Sequence, residues 1–149
     1  MLSNLKSIIP GSEHWPEFIK NNSNQFEARQ VLVKIPKSNS MLFKNMEKSV
    51  LPIIVSHGEG KISIKNKASI KKATMQYVDM SGKYTEEYPY NPNGSLSGVT
   101  GFCNNDGRIN IMMPHPERLS HINNFSWSPE EWTLSPWLKL FNNAREWIN

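Results

Sequence analysis

One cysteine, Cys103, stands in 149 residues, which excludes a disulfide framework as the source of stability. No apolar run reaches the roughly 18 residues that a membrane-crossing helix needs, and the mean hydropathy of −0.54 agrees. The opening residues, MLSNLKSIIP, lack the charged start, long apolar stretch and small-residue cleavage site of a secretory signal. The expectation is a cytoplasmic protein in reducing surroundings with no membrane partner. Apolar content is also modest at 38%. A chain of this length still buries close to about 70% of its unfolded surface, so one domain with its own core is expected. Internal repeats and low-complexity tracts are absent.

What is present in excess is basic charge: Lys+Arg 17 against Asp+Glu 13 gives +4 and a pI near 9.2. Such a balance attracts nucleic acid when the cations cluster. Here the lysines are scattered through Lys34, Lys37, Lys44, Lys48, Lys61, Lys65, Lys67, Lys71 and Lys72 beside Ser and Asn. No aromatic residue interleaves the densest part, as a base-stacking platform requires. The charge reads as a solvated face, and no nucleic-acid partner is expected.

Residues 1–9 place Leu2, Leu5, Ile8 and Ile9 at helical spacing and end at Pro10-Gly11, which predicts a short helix without a capping residue at its start. Alternation of apolar residues predicts strands over 26–35, 61–65 and 75–79. The continuous run LPIIVS at 51–56 predicts a strand buried on both faces that ends in the polar turn His57-Gly58-Glu59-Gly60. One or two helical turns fit 40–46, and 81–97 is punctuated by Gly, Pro and Asn as a loop. Residues 98–103 and 108–113 flank Asp106-Gly107, a hairpin signal. Residues 136–148 set Trp137, Leu138, Leu140, Phe141, Ala144, Trp147 and Ile148 on one broad helical face, with Pro136 suited to the first turn. Strands with a helix at each end predict an α/β layer structure.

The most informative stretch is Met113-Pro114-His115-Pro116-Glu117-Arg118. Each proline biases the residue before it to extended geometry, so the His115 ring is delivered at a fixed point beyond a strand. Glu117 is placed to accept a hydrogen bond from one ring nitrogen, leaving the other as a base; a surface histidine in a strand-ending loop is the plainer alternative. Cys103 with His115 twelve residues on invites a nucleophile–base pairing, but Gly101-Phe102-Cys103 lies inside a predicted strand without an elbow, so an inert buried thiol is expected. His57/Glu59 and His115/Glu117 form two His-x-Glu pairs whose spacing matches no familiar zinc enzyme, and no metal is expected. Trp127, Trp132, Trp137 and Trp147 read as core and interface anchors.

In order along the chain stand PGSEHWPEF (10–18), NQFEARQV (24–31), LPIIVSHGEGK (51–61), YPYNPNGS (88–95), IMMPHPER (111–118), SWSPEEW (126–132) and SPWLKLFNNAR (135–145). Together they resemble the C-terminal end of the phosphoribosylformylglycinamidine synthase family, in its large single-chain bacterial form. The resemblance covers essentially all of residues 1–149 and implies the C-terminal part of a glutaminase domain. The implied fold is α/β: a partial class I, or triad, glutamine amidotransferase with a flavodoxin-like open sheet flanked by helices. By motif match His115 resembles the general base that activates a cysteine thiol and protonates departing ammonia, and Glu117 resembles its orienting partner. Phe26, Glu27, Arg29, His57, Gly58 and Glu59 match segments near the glutaminase pocket, with no individual role implied.

The family's nucleophile belongs to a Gly-x-Cys-Asn-Gly-x-Gln type motif, which these residues lack. The resemblance therefore implies a domain without its N-terminal strands and nucleophile elbow, with Met1 a handful of residues past the missing thiol. Glutamine and the remainder of the synthase are the implied partners. No cofactor is implied for these residues; ATP and Mg belong to the synthetase part, which makes formylglycinamidine ribonucleotide in purine synthesis. The segment alone is expected to be inactive. Two rival expectations are a non-catalytic interaction module or gene remnant, and a compact thiol hydrolase using Cys103, His115 and Glu117.

Overall fold

The computed structural model describes residues 2–64 and 66–148. Met1, Lys65 and Asn149, to which the predicted first helix, the third predicted strand and the end of the chain extend, lie outside the described residues. In chain order the strands are β1 (Glu17–Ile19), β2 (Glu27–Lys34), β3 (Val50–His57), β4 (Lys61–Ser63), β5 (Ala73–Val78), β6 (Val99–Cys103) and β7 (Asn110–Met112). Helix α1 (Leu138–Ile148) follows, and short 3-10 turns lie at Leu2–Asn4, Lys67–Lys72, Leu96–Gly98, Pro116–Leu119 and Ile122–Asn124. Five strands form one sheet in the order β3-β2-β5-β6-β7, and β1 pairs separately with β4. Every pairing among the described strands is antiparallel. The α/β class stands, carried here by a curled antiparallel sheet with one α-helix.

The sheet follows from its side chains. The β2–β3 register sets Val31 opposite Ile53 and Val33 opposite Leu51, so both strands turn β-branched and aliphatic residues to one core. That core adds Met75 and Tyr77 from β5, Phe43 and Met46 from the 41–46 turns, Leu119, Phe125, Trp137 and Leu140. A second cluster joins Ile9, Trp15, Ile62, Ala73, Val99, Phe102 and Ile111. Strands β5 and β6, in the middle of the sheet, are buried throughout. The β6–β7 hairpin forms around Asp106-Gly107 as its Asp-Gly step requires.

Four expectations are corrected. Residues 2–9 hold only the 3-10 turn at Leu2–Asn4, followed by turns; so short a segment cannot nucleate a helix without strong packing, and Leu5 and Ile8 are exposed. Strand β3 is a sheet edge, and its burial alternates along its length, so the run LPIIVS covers one core rather than two. The buried stripe is Trp137, just before α1, with Leu140 and Asn143 in the helix, while Phe141, Trp147 and Ile148 face outward. The helix rests on the sheet along that narrow line. Residues 40–46 make turns without helix.

The seat of α1 is defined by polar anchors. Ser135 Oγ accepts from the Trp137 N–H at 3.1 Å and donates to the Leu119 carbonyl, ordering the helix entry. Trp137 is fully buried, and its indole N–H donates to the Pro52 carbonyl at 2.8 Å. Asn143 Nδ2 donates to the Leu42 and Lys44 carbonyls, each at 2.8 Å. Trp137→Ala therefore removes a large buried ring and strands a carbonyl, and its expected cost is about 3–5 kcal/mol. Urea unfolding of the two chains measures it; a difference below about 1 kcal/mol would show that the helix is not seated on β3.

Candidate active site

His115 reaches its position through backbone constraints on both sides. Past β7, the Met113 N–H donates to the Thr100 carbonyl at 3.3 Å and the His115 N–H donates to the Ile54 carbonyl at 2.8 Å. The second contact is an isolated antiparallel bridge between Ile54 and His115. Strand β3 and β7 are opposite edges of the sheet, so the chain leaving β7 meets the far edge and the sheet curls onto itself. Pro116 then opens the Pro116–Leu119 turn, with His115 at its N-cap in a non-helical conformation (φ −112, ψ 83), as a residue before proline prefers. Leu119, fully buried in the main core, holds the far side of this turn.

The expected pair forms. His115 Nδ1 lies 2.7 Å from Glu117 Oε1. A carboxylate only accepts, so in the neutral ring the proton sits on Nδ1 and Nε2 carries the lone pair. The side chains are 30% and 57% exposed, so the pair adds little to stability. It leaves Nε2 as a base whose orientation is set.

A second imidazole stands beside the first. The rings of His57 and His115 are 6.4 Å apart between centroids, at 38°. His57 ends β3 and is only 8% exposed. Burial pushes its pKa down, the His115 charge adds to this, and the Glu27 charge opposes it. Its Nε2 lies 2.9 Å from Asn93 Nδ2. Asn93 also reaches Asn21 and Tyr77, and Tyr77 accepts from Thr100. Sequence reasoning missed Asn21 and Asn93 because Asn in a polar stretch, or among Gly and Pro, reads as a turn former. The signal for Asn93 was the NPNGS loop, whose Asn91, Asn93 and Ser95 are all buried.

Of the other matched residues, Glu27 lies opposite His57 in the β2–β3 register. It is buried, and it accepts from Arg29 and Ser23, each at 2.6 Å. Arg29 also donates to Tyr88 OH at 2.6 Å with its guanidinium over that ring. Phe26 and Glu59 are exposed, so Glu59 does not join His57. Among the described residues no group of three or more His, Cys, Asp or Glu side chains is placed to hold a metal ion. Trp132 and Trp137 pack into or against the main core, whereas Trp127 and Trp147 are exposed.

Cys103 is at the other end of the hairpin. It pairs with Asn110, five residues before His115, which puts it on the order of 15 Å from the imidazole along the strand. Its thiol donates to Asn39 Oδ1 at 3.1 Å, and burial pushes its pKa up to about 11. The thiol-hydrolase expectation fails on this geometry. Relative to an ordinary thiol at 9.0, the thiolate fraction near pH 8 falls by about 100-fold. Iodoacetamide should therefore label native Cys103 about 100-fold more slowly than the unfolded chain; equal rates would contradict the burial.

The chain is similar in structure to a chain in the structure of PurLQS from Thermotoga maritima, with a TM-score of 0.65 and 20% sequence identity over 90% of the present chain. The match spans 53% of that chain, about half its length. The family model described as CobB/CobQ-like glutamine amidotransferase domain matches residues 1–148. The chain belongs to the CobB/CobQ-like glutamine amidotransferase domain family.

Proposed function

We propose that these residues are the His–Glu half of a glutaminase site, within the amidotransferase domain of a phosphoribosylformylglycinamidine synthase. The observation that carries the reading is the 2.7 Å contact between His115 Nδ1 and Glu117, which leaves Nε2 as an oriented base at the end of a strand. A cysteine thiol from the remainder of the domain would give its proton to Nε2 and attack the carboxamide carbon of glutamine. The C–N bond then breaks, His115 returns the proton to the departing ammonia, and water cleaves the thioester to glutamate. Ammonia would convert the formyl amide of formylglycinamide ribonucleotide to an amidine at the synthetase part, where ATP and Mg act. This is a cytoplasmic ligase step of purine synthesis.

Cys103 is the chain's only cysteine and lies far from His115, so residues 1–149 alone should release no ammonia from glutamine. An interaction role with the remainder of the synthase is supported by a groove of about 700 Å³ lined by Val50, Pro52, Met80, Trp127 and Trp132. In the full-length synthase carrying this segment, His115→Ala should lower glutamine-dependent turnover by about 10²–10⁴-fold and leave ammonia-dependent turnover in place. Undiminished glutamine-dependent turnover would overturn the assignment of the base.

A further inference from the structure

The hydrogen-bond directions around His57 are fixed by backbone groups that have one role each. Asn21 Nδ2 lies 3.0 Å from the Gln25 carbonyl and 2.9 Å from the His57 carbonyl. Carbonyls only accept, so this atom is the amide nitrogen. Asn21 Oδ1 accepts the Gly60 N–H at 3.0 Å and faces Asn93 at 2.7 Å, so Asn93 must present its own nitrogen there. The remaining proton of that nitrogen points to His57 Nε2, and Asn93 Oδ1 accepts from Tyr77 OH at 2.5 Å. His57 Nε2 is thereby an acceptor, and the ring is neutral with its proton on Nδ1.

That buried Nδ1 makes no hydrogen bond among the described residues. Gly60 makes the arrangement possible, because a methyl group there would sit 2.0 Å from His57 Nε2 and 2.5 Å from Asn93 Nδ2. The charged or titratable groups acting on His57 are Glu27, across from it on β2, and His115. Had Asn93 been an acceptor, His57 would carry its proton on Nε2, and a ring protonated on both nitrogens would place a second positive charge 6.4 Å from the His115 ring.

We propose that Asn93 holds the buried His57 ring as its neutral Nδ1–H tautomer and so keeps a second cation away from the base His115. The catalytic meaning rests on the glutaminase reading above, while the tautomer and its effect on His115 do not. Two unit charges 6.4 Å apart would lower the His115 titration midpoint by about 0.5 to 2 pH units for effective dielectrics of roughly 80 to 20.

The test is long-range ¹H–¹⁵N NMR of histidine-labelled 149-residue chain, from about pH 5.5 to 8. The expected result is His57 as the neutral Nδ1–H tautomer throughout. In Asn93→Asp, which replaces the donor by an acceptor, His57 should take a proton on Nε2, with the added carboxylate offsetting any charge the ring gains. His57→Gln, neutral with both a donor and an acceptor, should leave the His115 midpoint where it is. An Nε2–H or charged His57 in the unaltered chain overturns the proposal even if no variant folds. So does a His57 in Asn93→Asp that keeps Nε2 without a proton. An Nδ1–H His57 found together with an active His115→Ala synthase would instead reject the glutaminase reading and leave the tautomer assignment intact.

Discussion

The hydrogen bond from the His115 N–H to the Ile54 carbonyl is the point at which the two edges of the sheet meet. Without it, β7 would end as a free edge and the Met-Pro-His-Pro segment would have no surface to lie on. The bond itself is worth about 1 kcal/mol. Its leverage comes from what it aligns: two buried prolines on either side of His115, the Leu119 side chain in the main core, and the end of β3 with His57. A catalytic group must be held within about half an ångström of its working position, and strand ends do this better than free loops. The curl of the sheet is thus the physical reason that a residue from one edge and a residue from the other share one site.

The two imidazoles are kept in different states by their surroundings. His115 is half-buried, faces a carboxylate, and keeps Nε2 open. His57 is buried in a network of neutral amides and hydroxyls that offers its Nε2 a proton and removes the solvent that would support a charge. Separation of this kind, one group poised and its neighbour silenced, is how closely placed titratable groups avoid interfering with each other. The network also binds the 57–60 and 91–95 loops to β5 and β6 through Tyr77 and Thr100, so the site and the core are one structure.

Much of this was legible in residue order. Alternation located β2 and β4, the Asp-Gly step located the β6–β7 hairpin, and the proline pair located the His115 and Glu117 segment. What was not legible depends on contacts distant in sequence. The continuous run at 51–56 cannot show that β3 is an edge, and helical spacing at 136–148 cannot show that only Trp137, Leu140 and Asn143 would find the core. The buried asparagines were hidden most completely. Asn21 and Asn93 are 72 positions apart and hydrogen-bonded, and each taken alone reads as a turn residue.

The central claim is that closure of the curled sheet by the Ile54–His115 bridge places the His–Glu pair. Amide hydrogen exchange at His115 measures that bridge directly. The account predicts that the His115 amide is protected to the level of the Val31 and Val33 amides in the core of β2. Exchange at the rate of an open loop would mean that the bridge does not persist in solution, and the site would lose the constraint on which its geometry rests.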